Sequence, residues 1–596
     1  MKKILVLAGA LLLLLSLALV AHADAWDMTF KQEALDSRVL VVEAPGVDTI
    51  AKNWGCDGVN VIAKVFNSKI GYTEEAEFKF AISDFDPEAK TIKMELPNFG
   101  KWQVTAEFTK KGQITRRVKD LDVYFGVTKA NIVDCVATTD TLITALKWYT
   151  EDGAIDTSIP TFLDIRRPKA FDWQNLPENM YRHAMISAER NEEDIGYWRR
   201  CGYLSEFVRD LLIANPDTYF NFYLNDYHMR TLARLAWANK VPDGNYSVTM
   251  VTDGSASYSM FRRAYSGTDN AAALHAQYVK ETEEYRAGIK SGKITNYEDM
   301  LYLRDRVYAL MDVEEAHGNP VRWWVVRKSG DTFGLPDADF QAKVLADTRI
   351  TNNYINNLLA AMSAAGNDEA FKTLYSFEDE MFQNERDQGK KLLMFLGSSA
   401  AVERDYPPMD YIKFHIAFYG DTYAYFYKGH PGNVQVELEE NKKPYTDIGV
   451  HVLDASIAAE LFTYFNPDIY VSGYESSYYQ NTGNEEQDVG LFRKTFESAL
   501  ANPNIVEYAP LMDLFISDMA VPDDASTYAG NEDALKVLDA ALKAVPAEEA
   551  GDHTYLVQFN NANKQVCEYD FALWNATREV IHYLTGSVEE GLTIAE

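Results

Sequence analysis

The sequence is short of basic charge, and this shortage excludes two classes of partner. Lys and Arg number 57 against 89 Asp and Glu, which gives a net charge of −32. A surface this acidic repels both nucleic acid and anionic lipid headgroups, so we expect neither as a partner. The same charge is typical of a highly soluble protein. Local groups must therefore hold any anionic ligand against the overall field.

Cysteine is also scarce, and several common motifs are missing. The four cysteines, Cys56, Cys135, Cys201 and Cys567, show no C-x-x-C spacing and therefore indicate no zinc site. They allow three disulfide pairings, or they are buried small residues. No G-x-G-x-x-G fingerprint and no P-loop occur, so neither a dinucleotide enzyme nor a P-loop NTPase is indicated. No D-x-D motif stands in a convincing setting, and we expect no metal and no cofactor.

A long apolar run occurs only at the N-terminus. Residues 1–24 begin with Lys2 and Lys3, continue as an apolar stretch, and end near two small-x-small cleavage sites at 21–23 and 23–25. This pattern predicts a secretory signal peptide, and hence export across the inner membrane to a periplasmic, secreted or membrane-anchored location. The apolar run is long enough for an uncleaved membrane anchor, which is the alternative.

The length and hydrophobic content predict several domains. The chain has 596 residues, of which 47% are hydrophobic, and this size suits roughly two to four separate cores. Within residues 25–128, apolar residues alternate with other residues at 78–82, 92–96, 102–108 and 118–125. Several short alternating strands separated by turns predict an immunoglobulin-like β-sandwich.

After residue 129 the pattern changes to alternating strands and helices. "NIVDCVA" and "TYFNFYLN" are strand-like, and "TDTLITALKWYTE" is a helix with Thr138 or Thr139 as the N-cap. Helical patterns dominate from about 270 to 388, and strand–helix alternation resumes at "KKLLMFLGSS". We predict two α/β Rossmann-like domains, 129–388 with a helical insert and 389–596 with a final helix packing back, which face each other across a cleft.

Asp253-Gly254-Ser255 ends the strand-like run "YSVTMV" in the first of these domains. In doubly wound sheets, ligands bind beyond the carboxyl ends of the strands. A carboxylate in that position can accept a proton from a hydroxyl, and a glycine beside it lets a ligand approach. The alternative is a routine Asp-Gly turn.

Two strand ends of the second domain carry complementary chemistry. Lys428-Gly429-His430-Pro431 ends "YAYFY", and Ser476-Ser477 follows "NPDIYVSGYE". A histidine can donate a proton or neutralise a developing charge, and serines at a strand-to-helix turn can bind phosphate. Alone, His430 reads as structural and the serines as a helix N-cap pair. Combined with Asp253, they form a layout for moving a sugar from a nucleotide to a hydroxyl.

Asp-Gly-Ser, Lys-Gly-His-Pro and Pro-Asp…Ser-Ser, in this order, resemble the bacterial marine-type CMP-sialic acid-dependent sialyltransferases. "VDCVATTDTLITALKWYTE" also resembles the opening strand and helix of that family. The resemblance covers roughly residues 130–590. It implies a GT-B arrangement of the two α/β domains, and several members carry an immunoglobulin-like domain in front.

The resemblance also implies roles for particular residues. Asp253 would be the general base and His430 the acid, or electrostatic partner, of the departing CMP phosphate. The donor would contact Lys428, Gly429, Pro431, Glu460, Ser476 and Ser477, and the acceptor would contact His228, Gly254 and Ser255. The implied reaction moves sialic acid from CMP-sialic acid to a galactoside hydroxyl of a galactose-terminated glycan, in α-2,3 or α-2,6 linkage, by a metal-independent inverting displacement.

Two departures from the family's pattern bear on the acceptor. Thr252 replaces the first carboxylate of the family's Asp-Asp-Gly, and "GSSAA", ending at Ala401, lacks the family's tryptophan that packs on the acceptor sugar. The alternatives are a related GT-B transferase using another CMP-activated acid sugar, such as Kdo, and a non-catalytic glycan-binding surface protein.

Overall fold

The fold is described by a computed structural model. It covers residues 25–67, 71–165, 171–182, 197–265, 270–296, 305–326, 337–397, 420–431 and 439–473, with isolated positions between them. The predicted signal peptide, Ser476, Ser477, Ala401, Cys567 and the C-terminal helix lie outside the described residues.

The N-terminal region consists of two antiparallel sheets that share one apolar core. Its strands are β1 (Thr29–Gln32), β2 (Val39–Glu43), β3 (Gly58–Asn67), β4 (Gly71–Ala81), β5 (Thr91–Glu95), β6 (Gly100–Lys110) and β7 (Gln113–Phe125). They are ordered β1-β2-β5 and β4-β3-β6-β7. Alternation buries Ile92 and Met94 and exposes Lys93. An antiparallel β region is therefore present, whereas its assignment to the immunoglobulin type is not confirmed.

This β region packs directly on the α/β region that follows it. The ring of Phe99 contacts Phe162 and Tyr181 edge-on, with centroids 5.8 and 5.6 Å apart. The side chain of Asn98 donates a hydrogen bond of 2.8 Å to the carbonyl of Arg182. One continuous hydrophobic core consequently joins the two regions.

The first α/β region contains a seven-stranded parallel sheet. Its strands are β8 (Lys129–Cys135), β9 (Thr161–Ile165), β10 (Met180–Arg182), β11 (Tyr219–Asn225), β12 (Tyr246–Val251), β13 (Val321–Val325) and β14 (Ile350–Asn352). The spatial order is β10-β9-β8-β11-β12-β13-β14. This is the Rossmann order, and it places the topological switch point between β8 and β11.

The second α/β region contains a four-stranded parallel sheet. Its strands are β15 (Lys391–Leu396), β16 (Tyr423–Lys428), β17 (Val450–Leu453) and β18 (Ile469–Gly473). The order β17-β16-β15-β18 repeats the beginning of the Rossmann order. The prediction of two α/β sheets is confirmed, and their GT-B arrangement stays a prediction.

The helices cover the sheets and join them. They are α1 (Val47–Trp54), α2 (Thr138–Tyr149), α3 (Tyr197–Ala214), α4 (Arg230–Leu232), α5 (Ser255–Tyr265), α6 (Ala271–Lys290), α7 (Val307–Ala316), α8 (Ala338–Leu345), α9 (Ile355–Ala364), α10 (Asp368–Leu374), α11 (Gln383–Asp387), α12 (Glu439–Thr446) and α13 (Ala459–Phe465). A π-helix (Ala233–Trp237) follows α4, and 3₁₀ turns lie at Ile82–Asp84, Asp226–His228 and Gly420–Thr422.

Two sequence-based predictions need correction. The N-cap of α2 is Ala137, and neither Thr138 nor Thr139. The carboxylate of Asp140 takes the capping role, because it accepts the N–H groups of Val136 and Ala137. The stretch expected to be mainly helical, 270–388, also contributes β13 and β14 to the sheet.

Helices α2, α9 and α13 connect the two α/β regions. Apolar residues of both sheets belong to one buried cluster, including Val133 of β8 and Met394 of β15. The hydroxyls of Ser363 on α9 and Tyr464 on α13 lie 2.8 Å apart. Asn367 donates a bond of 2.7 Å to the carbonyl of Tyr149 at the end of α2. These contacts bring the C-terminal ends of α2, α9 and α13 together.

Cys56, Cys135 and Cys201 are buried free thiols. This agrees with the interpretation of these three as small buried residues. Within the described residues, no helix is both long and apolar enough to cross a membrane.

Candidate active site

Asp253 lies just beyond the carboxyl end of β12, where the sequence predicts it. Its side chain is half-buried, and its backbone N–H donates a 2.9 Å hydrogen bond to Oδ1 of Asp226. Gly254 follows with φ of 126°, a conformation that an L side chain would strain. The hydroxyl of Thr252 accepts the N–H of Gly254 at 3.2 Å. Thr252, which replaces the first of the two expected carboxylates, thus helps to close the turn that presents Asp253.

A single amide joins Asp253 to the neighbouring strands. Asn225 is the last residue of β11, and its Nδ2 lies 2.8 Å from Oδ1 of Asp253 and 2.6 Å from Oδ2 of Asp140. Its Oδ1 accepts the N–H of Tyr227 at 3.0 Å. This last bond fixes the orientation of the amide, because only its oxygen can accept a hydrogen bond from an N–H group. Both hydrogens of the NH₂ group then point to carboxylates.

Asp140 closes this network from the N-terminal end of α2. The side chain is fully buried. Its two oxygens accept the N–H groups of Val136, Ala137 and Thr141, at 2.7 to 3.0 Å, in addition to the amide of Asn225. Burial, followed by the charge of Asp253, raises the pKa of Asp140 well above its usual range. The four N–H donors act in the opposite direction and favour the carboxylate form.

Asp226, like Asp140, is a buried carboxyl group, and it anchors the turn that carries Asp253. It accepts hydrogen bonds from the Asp253 N–H, the Ser257 hydroxyl and, at 2.9 Å, the Trp323 indole. Burial raises the pKa of Asp226 to about 7, although these bonds lower it. The turn between β12 and α5 is therefore tied to β11 and β13 at once.

Two predicted acceptor-side residues lie in the same part of the molecule. His228 is half-buried in the 3₁₀ turn that follows Asn225, and its ring centroid is 5.3 Å from that of Tyr227. Ser255 is the first residue of α5. The structure therefore gathers Asp253, Gly254, Ser255 and His228 at the carboxyl edge of the first sheet.

The second sheet presents a different set of groups at its carboxyl edge. Lys428, the last residue of β16, is buried, and its Nζ donates to the carbonyls of Gly429 and Ala455 at 3.1 and 2.9 Å. His430 and Pro431 follow and are half-buried, while Gly429 is buried. The side chain of Lys428 is thus held by two backbone carbonyls, two residues before His430.

Glu460 lies in the first turn of α13, where a carboxylate is favoured by the helix dipole, and it is buried. Tyr375, which is fully buried, interacts electrostatically both with Glu460 and with groups of the first α/β region. Burial raises the pKa of Tyr375 well above its usual range, with smaller contributions from Cys135, Asp140 and Glu460. Its hydroxyl has no hydrogen-bond partner among the described residues. The charges of Asp140 and Glu460 thus both disfavour ionisation of one buried phenol.

Sequence reasoning did not single out Asn225, Asp140, Asp226 or Tyr375. The first three lie beside the switch point: Asn225 ends β11, Asp226 follows it, and Asp140 lies in the first turn of α2, the helix after β8. Strand order would have pointed to them, because parallel strands bring their carboxyl ends to one edge. Ser476 and Ser477 lie outside the described residues. Within the part of the chain that is described, no group of three or more His, Cys, Asp or Glu is arranged to hold a metal ion.

No family model matches the chain. No curated protein matches its sequence.

Three solved structures of sialyltransferases align with the chain at low similarity. A 2,6-sialyltransferase of Photobacterium sp., in a ternary complex with CMP and lactose, is 15% identical, has a TM-score of 0.45, and is aligned over 66% of this chain and 77% of its own. A sialyltransferase from Photobacterium damsela is 13% identical with a TM-score of 0.41, over 76% and 87%. An α-2,3-sialyltransferase from Photobacterium phosphoreum is 12% identical with a TM-score of 0.42, over 60% and 88%. Likeness at this level does not by itself establish fold or activity.

Proposed function

We propose that the protein is a sialyltransferase that moves sialic acid from CMP-sialic acid to a galactoside hydroxyl. The observation that carries the proposal is the pairing of two unlike sheet edges. A carboxylate held by hydrogen bonds follows β12, and a buried lysine with an adjacent histidine follows β16. The motifs Asp-Gly-Ser and Lys-Gly-His-Pro stand at these two edges, in the order typical of the family that they resemble.

The proposed step is a single displacement. Asp253 accepts the proton of the acceptor hydroxyl, and the acceptor oxygen forms a bond to the anomeric carbon of the sialyl group. The bond from that carbon to the CMP phosphate oxygen breaks, and its electron pair leaves with CMP. His430 donates a hydrogen bond or a proton to the departing phosphate. Base and leaving group lie on opposite sides of the carbon, so the configuration inverts.

Charge supports the division of roles between the edges. The whole chain carries −32, which disfavours an anionic donor. Lys428 and His430 are cationic or titratable groups at the second edge, where the donor phosphate would bind. The first edge holds Asp140, Asp226 and Asp253 and suits a neutral sugar hydroxyl. Glu460, Gly429 and Pro431 would line the donor side, with Ser476 and Ser477 at the phosphate, and His228, Gly254 and Ser255 would contact the acceptor.

A donor screen tests the proposal. The purified protein is mixed with lactose and either CMP-sialic acid or CMP-Kdo, CMP release is followed, and the product linkage is determined by NMR. We expect CMP-sialic acid to be the donor that turns over, with one sialyl-lactose formed per CMP released. Turnover of CMP-Kdo alone would assign another acid sugar. Glycan binding without any CMP release would favour a non-catalytic surface protein.

A further inference from the structure

Asn225 sits at the topological switch point of the first sheet, between the groups that follow β8 and β12. Its amide donates to Asp140 on one side and to Asp253 on the other. We propose that Asn225, anchored by Asp140, is a positioning residue that fixes the rotamer of the general base Asp253. The inference rests on the proposed function for the identity of the base, and it adds Asn225 and Asp140, to which the sequence analysis assigned no role.

The first support is that the anchor is rigid. Asp140 is fully buried and accepts three backbone N–H groups from residues 136, 137 and 141. Backbone donors at a helix N-terminus cannot turn away as side chains can. The position of Oδ2 of Asp140 is therefore set by the fold, and with it one of the two hydrogen-bond directions of Asn225.

The second support is that Asn225 has no alternative orientation. A flipped amide would place its NH₂ group against the N–H of Tyr227 and its oxygen against two carboxylates. Three mismatched contacts at a buried site cost several times as much free energy as one unsatisfied group. The NH₂ group thus stays directed at Asp253 and holds one of its carboxylate oxygens.

The third support is electrostatic. The amide is the hydrogen-bonding group between two carboxylates, Asp140 and Asp253, that repel each other. The charged or titratable groups on the surrounding elements include Asp226 and His228, which follow β11, and Cys135 on β8. Tyr375 also interacts electrostatically with Asp140 and with Glu460. With so many acidic neighbours, loss of the amide favours protonation of Asp253, which removes its function as a base.

The test uses two substitutions of Asn225 and a matched control on the same strand. Asn221 also donates through Nδ2 to a neighbouring strand, at 2.9 Å from Oδ1 of Asn131, but it lies four residues earlier on β11. Asn225→Ala is expected to lower kcat about 10- to 100-fold with little change in the KM of CMP-sialic acid. Asn225→Asp adds a third facing carboxylate, and it is expected to move the acid limb of kcat/KM upward by about one pH unit or more. Asn221→Ala is expected to leave the acid limb in place.

A double-mutant cycle tests the link to Asp140. Asp140→Asn is expected to lower kcat about as much as Asn225→Ala, and the double variant is expected to lose little more than either single variant, because the two residues act as one unit. Additive losses would overturn the link. Unchanged kcat and an unmoved acid limb in both Asn225 variants would overturn the positioning role itself.

A second readout separates this inference from the proposed function. If the unmutated protein turns over no donor, the proposed function is wrong, but the contact of Asn225 with Asp140 and Asp253 can still be tested. The hydrogen-bonded link from Asp140 through Asn225 to Asp253 is then tested by the Tm of Asn225→Asp relative to Asn221→Ala at pH 4.5 and pH 8. Three facing carboxylates are expected to depress the Tm of Asn225→Asp several degrees more at pH 8 than at pH 4.5. An equal depression of the Tm at both pH values would contradict this hydrogen-bonded link.

Discussion

The carboxyl edges of the two parallel sheets differ in the chemistry that they hold. At the first sheet, three carboxyl groups and one amide form a network in which Asp253 is tied to α2, β11 and β13. At the second sheet, a buried lysine is held by two backbone carbonyls beside a half-buried histidine. Both sheets share the beginning of the Rossmann order, so the same architecture carries an acidic edge and a basic edge.

For the proposed reaction, this difference indicates where each substrate would bind. The first edge presents Asp253, a carboxylate held by the amide of Asn225, and this group suits a hydroxyl that must lose a proton. A basic edge can hold a phosphate even on a chain with a net charge of −32. The polarity of the two edges, rather than either motif alone, supports a reaction that joins an anionic donor to a neutral acceptor.

The largest expected effect comes from removing the group that defines each edge. Asp253→Ala and His430→Ala are each expected to lower kcat by about 10²- to 10⁴-fold, because each removes a proton-transfer group. CMP release from CMP-sialic acid with lactose measures the effect. Circular dichroism and Tm serve as controls for folding. Wild-type rates in both variants would mean that neither edge performs the chemistry assigned to it.

The next effect concerns the cation of the second edge. Lys428→Met leaves the carbonyls of Gly429 and Ala455 without this donor and removes a positive charge from the donor side. We expect an approximately tenfold increase in the KM of CMP-sialic acid and a stability loss of about 1–3 kcal/mol. Lys443→Met, which removes an exposed lysine paired with Asp447, is the matched control and is expected to change neither. Equal effects of the two substitutions would contradict the special role of Lys428.

A third effect is the pH dependence of stability at the first edge. The folded pKa of Asp226, about 7, lies above its ordinary value of 3.8, so the folded protein retains a proton that the unfolded chain releases between these pH values. Stability from this group is therefore lost as the pH rises from about 4 to 7. Asp226→Asn should remove that loss, by up to about 4 kcal/mol at roughly 1.4 kcal/mol per pH unit.

Denaturant unfolding of the wild type and Asp226→Asn at pH 4 and pH 8 measures this difference. Asp243→Asn provides a control of opposite sign, because Lys290 and Arg286 lower the pKa of Asp243. That substitution should destabilise the protein more at pH 8 than at low pH. A wild type whose stability relative to Asp226→Asn is the same at both pH values would contradict the buried, proton-retaining state of Asp226.

The smallest effect concerns the buried phenol of Tyr375. Tyr375→Phe removes a hydroxyl that has no hydrogen-bond partner among the described residues. Because a buried unsatisfied hydroxyl costs free energy, we expect stability to be unchanged or to increase by about 1 kcal/mol, with kcat unaffected. A large loss of activity would instead show that this hydroxyl participates in the work of the site.

The sequence predicted the sheets and the polar strand ends because these depend on local pattern. Alternating apolar residues indicated the antiparallel region, and Asp253 and His430 were found because each directly follows an apolar run. The network around Asp253 could not be predicted in the same way. Asn225 and Asp140 are 85 residues apart, and they meet because β8, which leads into α2 and Asp140, lies beside β11 in the sheet.

Local pattern also failed where tertiary packing overrides it. Thr138 and Thr139 are favourable N-caps by residue type, but the carboxylate of Asp140 reaches back to the N–H groups of Val136 and Ala137. Strand β13 lies between α7 and α8, and four of its five residues are buried, so its sequence lacks the alternation that marks a strand.

Binding of CMP to the wild type, Asp253→Ala and His430→Ala, measured by isothermal titration calorimetry, tests the division between the two edges most directly. The account predicts that CMP binds the wild type and Asp253→Ala with similar affinity and binds His430→Ala at least about tenfold more weakly. Unchanged CMP affinity in His430→Ala together with weakened binding in Asp253→Ala would contradict the account.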